Sequence, residues 1–183
     1  MKRAALVGAA MVGMAALADV PAAAQTGGSQ QPIAELAADL AYGMCPQLLQ
    51  GEAALEGNAD LQARGFPATA RRREHRLGEV AILGQTRADG DVTISSVDRA
   101  LCQVNVIGTS ADKAEALFRS GIGDLGLTFE PDVAKNVTHP TEDVRGETFV
   151  ARLSSTQVIM VQFTSGTVRE VPFAGFQMFV QDR

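Results

Sequence analysis

The chain holds no tryptophan and a single tyrosine, Tyr42, among its 183 residues. Aromatic platforms for sugar stacking and interfaces built around Trp and Tyr hot spots are therefore poorly supplied, and eight phenylalanines carry nearly all the aromatic bulk. Histidine is almost as scarce. His75 and His139 are the only imidazoles, so any acid-base or metal chemistry that needs one must use one or both. Positive charge is also in deficit, with 16 basic against 21 acidic residues. That balance argues against a general nucleic-acid or anionic-membrane binder, since such partners are won mainly by positive charge. Among the serines no Gly-x-Ser-x-Gly elbow occurs, and no Cys-x-x-Cys pair occurs either. Gly121-Ile-Gly123-Asp-Leu-Gly126 spells the dinucleotide fingerprint, but it follows helical sequence instead of separating a strand from a helix.

The start of the chain is the most specific signal present. Lys2 and Arg3 precede a run of Ala, Val, Gly, Met and Leu from residue 4 to residue 20, and Pro21 then precedes Ala22-Ala23-Ala24. This pattern reads as a secretory signal peptide cut between Ala24 and Gln25. The run carries Asp19 and much Ala and Gly, and it falls short of the roughly 20 strongly apolar residues that a spanning helix needs. The expected protein is periplasmic or secreted and does not span a membrane. Loss of Lys2, Arg3 and Asp19 leaves 14 basic against 20 acidic residues, a net charge of −6. Residues 25–31 read as a flexible leader, and residues 32–183 as one domain of ordinary size.

In an exported chain two cysteines are most simply read as a disulfide. The bridge Cys45–Cys102 closes a loop worth on the order of 4 kcal/mol in the chain-entropy model. The competing reading is a reactive Cys45 thiol at the start of a short helix, which requires Cys102 to be unpaired.

Ile33, Leu36, Ala37, Leu40 and Met44 recur at helical spacing and predict a helix from Pro32 to about Gly43. Pro46 places Cys45 at a break or at the start of a second short helix through Leu49. Asn58 and Gly65-Phe66 bound a helix over 59–64, and 67–76 reads as loop. Alternation predicts strands over 80–83, 92–95 and 102–106, with Cys102, Val104 and Val106 on the buried face. Ser110 caps a helix over 111–120 that buries Ala114, Leu117 and Phe118. A strand over 125–129, a polar stretch over 130–147 and strands over 149–153, 158–163 and 173–180 complete the chain, with a bulge expected at Ala174-Gly175. Strands joined by short turns imply antiparallel pairing. The expected fold is α+β: a curved antiparallel sheet of about six or seven strands, covered on one face by an N-terminal helix and a central helix.

Three places offer function. Arg71, Arg72, Arg73, His75 and Arg76 form the one dense basic cluster and suit an anion or a partner, although ordinary surface ion pairs explain it too. Phe179 falls opposite Phe176, Met178 and Val180 and is a candidate interface residue on a strand that pairs with a partner. His139, with Glu130, Asp132, Glu142 and Asp143 nearby, or His75 beside the arginines, could support a small hydrolase or metal-dependent enzyme. No recognised ligand spacing appears, so no metal and no cofactor is assigned. The reading favoured by the sequence is a disulfide-stabilised, non-catalytic binding module for a periplasmic protein or envelope component, of undetermined oligomeric state.

Overall fold

In the computed structural model, residues 31–138 and 143–182 are described; the expected signal peptide 1–24, residues 25–30 of the expected leader, and His139 with Glu142 lie outside this range. The chain folds as an α+β domain. Helix α1 spans Ile33–Asp39, a π-helical turn spans Leu40–Met44, and α2 spans Cys45–Gln50. Of the two expectations at Pro46, Cys45 opens the second short helix, and no break separates it from the turn before. Cys45 keeps helical angles (φ −58°, ψ −43°), and its N–H reaches back five residues to the Leu40 carbonyl. The widened turn thus accommodates a proline that cannot donate to the helical ladder. Helix α3 spans Ala59–Ala63, capped by the Asn58 carboxamide oxygen, which accepts from the N–H groups of Asp60 (3.0 Å) and Leu61 (3.1 Å).

Strands β1 (Arg71–His75), β2 (Gly78–Arg87), β3 (Gly90–Val97) and β4 (Leu101–Ile107) form an antiparallel meander. Helix α4 spans Ala111–Gly121. After it come the two-residue strands β5 (Glu130–Pro131) and β6 (Val137–Thr138), and then the long β7 (Asp143–Arg152), β8 (Gln157–Val168) and β9 (Val171–Asp182). The order across the sheet is β1-β2-β3-β4-β9-β8-β7-β5, with β6 also on β7. Each half of the domain is therefore helix followed by meander, and the last strands of the two meanders meet side by side at the centre.

One face of the sheet carries the core. Leu83, Ile94, Val104, Phe176 and Phe163 lie beneath α1, α2 and α4. Phe176 is the hub of this layer: its ring meets Tyr42 edge-on at 5.2 Å and lies 5.7 Å from Phe118 and 6.0 Å from Phe163. Cys45 and Cys102 are both buried and joined by a disulfide, with their Cα atoms 5.4 Å apart. A single turn gathers the starts of both main helices. The Asp89 carboxylate accepts from the Ile33 N–H at the head of α1 (2.9 Å), and its carbonyl accepts from the Ser110 hydroxyl at the head of α4 (2.7 Å). Ser110 thus holds the turn instead of capping its own helix, contrary to expectation.

Other departures have local causes. Residues 71–75 are a strand where the sequence reads as loop, because all five residues are exposed and no apolar alternation marks them. The expected strand at 125–129 is instead the end of a 3-10 turn, Ile122–Leu125, followed past Gly126 (φ 67°) by a bend at Leu127 and irregular chain. Leu125, Leu127 and Phe129 alternate because they pack on the core, without a strand partner. Strand β7 begins at Asp143, well inside the expected polar stretch. No bulge interrupts β9: the register runs unbroken from Phe173 to Phe179. Gly175 is small for another reason, since a Cβ there would run into the Thr164 hydroxyl and lie 2.9 Å from the Asn105 side-chain oxygen.

Burial raises the Tyr42 pKa well above its ordinary value near 10, with the Asp124 charge adding to the effect. Its hydroxyl donates to the Phe118 carbonyl, joining the π-helical turn to α4. The proton is held more tightly in the folded than in the unfolded chain, so this contribution to stability is intact below pH 10 and declines as pH rises above it. Tyr42 is the only tyrosine, so tyrosinate absorbance reports it alone. Folded protein taken to a pH just above 10 should show almost no tyrosinate while denatured protein shows an ordinary titration; coincident curves would contradict the buried placement.

Candidate functional site

The helices cover one face of the sheet, and alternation along each strand sends every second side chain to the other. On that second face the register aligns Ser95, Gln103, Gln177, Gln162 and Thr148 in one row across five strands. The Gln103 carboxamide donates to Asn105 (3.1 Å), and that of Gln162 donates to the Thr148 hydroxyl (3.0 Å). Gln177, at the centre, has no side-chain hydrogen-bond partner among the described residues.

Apolar flanks border this amide band. On one side Val97, Leu101, Phe179, Met160 and Val150 follow one another in register. Val97, Leu101 and Met160 are buried there, and Lys135 of the 3-10 turn Val133–Lys135 brings its Nζ to 3.4 Å from the Met160 sulfur. On the other side Ile107 pairs with Phe173, and with Val168 and Val171 they wall a hollow of about 400 Å³ next to Thr93 and Asn105. Ile107 and Val171 are each 42% exposed. Large exposed aliphatic side chains beside a polar band are the kind of surface that a partner covers.

Phe179 does lie on the face opposite Phe176 and Met178, as alternation requires. It is not a solitary exposed ring, however: it is half-buried between Leu101 and Met160. The register of neighbouring strands, invisible along one strand, supplies this company.

The basic cluster is divided by the pleat. Arg72 turns to the helix side and forms ion pairs with Glu79 (2.5 Å) and Glu56, the hydrogen bonds and charges that raise its pKa further. Arg71 and Arg73 sit opposite Ile82 and Val80 on the open face, and neither has an ion-pair partner among the described residues. Through Ile82, Arg71 stands at the β1 edge of the row that carries Ser95. Arg76 lies in the turn that follows β1. His75 is exposed at the end of β1, where its Nδ1 accepts from the Leu77 N–H at 3.3 Å. No group of three or more His, Cys, Asp or Glu gathers as a metal site among the described residues. Four charged or ionisable side chains beside Arg71 also guard an edge strand against pairing with another sheet.

Thr148 anchors the border of the open face. Its N–H donates to the Asn136 side chain (2.9 Å), its hydroxyl to the Lys135 carbonyl (3.0 Å), and its carbonyl accepts from the Asp132 N–H (2.8 Å). One residue thereby holds the 3-10 turn Val133–Lys135 over β7 and β8.

Compared with known proteins, the chain matches no family model, no curated protein and no solved structure at a significant level, so the functional reading rests on this geometry. Thr148→Val keeps the shape and removes the hydroxyl, leaving the Lys135 carbonyl and the Gln162 amide without it. Chemical denaturation should register a loss of about 1–3 kcal/mol; unchanged stability would mean that water serves both groups equally well.

Proposed function

We propose that this chain is exported, loses residues 1–24 and works as a non-catalytic binding module that presents the open face of its sheet to a periplasmic protein or envelope component. The observation that carries the reading is the in-register amide band between two apolar flanks. The carboxamides offer donors and acceptors at the strand spacing, and the exposed Ile107 and Val171 of one flank offer apolar area to remove from water, so polar pairing would set register and burial would supply affinity. Arg71 and Arg73 at one end favour a partner that brings carboxylates or other anions to that edge. Export is supported by the basic start, the apolar run and the Ala-rich cleavage sequence, and by the disulfide, which suits an oxidising compartment. No described helix is long and apolar enough to cross a membrane.

A photo-crosslinking residue placed at Gln177, in protein expressed in its cells of origin, should give discrete adducts on a mature chain that begins at Gln25. The same residue at Lys113, on the outer surface of α4, should give none. Equal labelling from both positions, or a chain that keeps residues 1–24, would overturn the reading.

A further inference from the structure

On the helix side, at the end of the sheet beyond α2, lies a cleft of about 550 Å³, within the range of small-molecule sites. Its lining is graded from floor to mouth. Met178, Ile159 and Leu49 are buried at the floor, while Gln50, Arg99 and Gln157 are exposed at the mouth. Leu125, Leu127 and Val180 complete an aliphatic wall with no aromatic ring. Such walls suit a flexible hydrocarbon chain better than a planar ring, which gains from stacking.

Arg99 is the only charged residue lining the cleft, and it has no ion-pair partner among the described residues. Its placement is costly to the chain. It occupies the left-handed region (φ 50°) in the β3–β4 turn, where the Ala100 N–H donates to the Val97 carbonyl at 3.0 Å. Non-glycine residues seldom adopt that conformation; in this domain Arg169 and Glu170 of the β8–β9 turn share it. The guanidinium then lies over Gly51 at the end of α2, where a Cβ would approach Cζ to 2.8 Å and Nη2 to 2.7 Å. Glycine at 51 leaves the room that the guanidinium fills. The disulfide fixes the same geometry, because Cys45 precedes Pro46 of the cleft wall and Cys102 pairs with Met178 of its floor.

From these observations we infer that the cleft binds a single-chain anionic amphiphile, with its hydrocarbon chain along the Met178–Ile159 floor and its carboxylate on the Arg99 guanidinium. One guanidinium matches the single charge of a carboxylate, and the planar fork accepts it bidentately. The carboxamides of Gln50 and Gln157 stand at the mouth as further donors. The cleft and the open face lie on opposite sides of the sheet, so this inference does not depend on the proposed partner surface.

The test uses the mature protein stripped of lipid and titrated with dodecanoate or with dodecyltrimethylammonium, both below micelle-forming concentrations. Calorimetry should show saturable binding of dodecanoate and none of the cationic amphiphile. Arg99→Glu should weaken dodecanoate at least about tenfold, the scale of one charge-assisted contact, and should admit dodecyltrimethylammonium. Leu153→Asp, at a cleft residue that is 43% exposed and hence tolerant of change, should also weaken dodecanoate with the fold intact by circular dichroism. Absence of saturable dodecanoate binding to the native protein, equal affinity for the two head groups, or undiminished binding by Leu153→Asp would each overturn the inference.

Discussion

The domain depends on one seam. Its two meanders touch along the β4–β9 pairing, where Val104 lies opposite Phe176 and Cys102 opposite Met178. Two adjacent strands would be a weak junction without side chains to hold them, since a lone pair of strands is marginally stable in water. Here both helices lie across the junction. Phe176 reaches Tyr42 from the first helical segment and Phe118 from α4, and burying an aromatic side chain of this size contributes roughly 1.5–3 kcal/mol. Two residue pairs further along, Cys102 is bonded to Cys45, so the seam is secured from above by a covalent bond as well as by packing. Arg119 extends the clamp outward: from α4 it bridges Glu115 (2.9 Å) and Glu147 on β7 (2.7 Å).

The division of labour between the faces follows from that arrangement. Two helices meeting over the seam cover the centre of one face and stop short of its end, which leaves the aliphatic cleft beside α2. Strand alternation sends the remaining side chains to the other face, where antiparallel register converts isolated residues on five strands into a continuous amide band. The disulfide serves both consequences, because it fixes α2 as a cleft wall and holds β4 in place beneath it.

Much of this was legible along the chain. Strict alternation at Cys102, Val104 and Val106 marked the buried face of β4, and the helical spacing of Ile33, Leu36 and Leu40 marked the layer above it. Their meeting made the Cys45–Cys102 bond predictable from parity and pattern. What escaped was non-local. Strand β1 is charged and exposed on both faces, so only its pairing with β2 identifies it. The divided arginine cluster, the amide row and the neighbours of Phe179 depend on register between strands that lie up to about 80 residues apart in sequence. Gly175 looked like a bulge because its reason for being small is the pair of side chains, Thr164 and Asn105, on the two adjacent strands. Arg99 carried no signal at all, since neither its left-handed backbone nor the glycine beneath its guanidinium has a local pattern.

Native-state hydrogen exchange would test the seam most directly, because amide protection ranks structural units by the free energy of opening them. If the β4–β9 junction holds the two halves together, the slowest amides in the oxidised protein belong to both strands, with Val104, Val106, Phe176 and Met178 exchanging only on global unfolding. A slow core confined to β7 and β8, with β4 and β9 exchanging through local opening, would contradict the account and make the two meanders separate folding units.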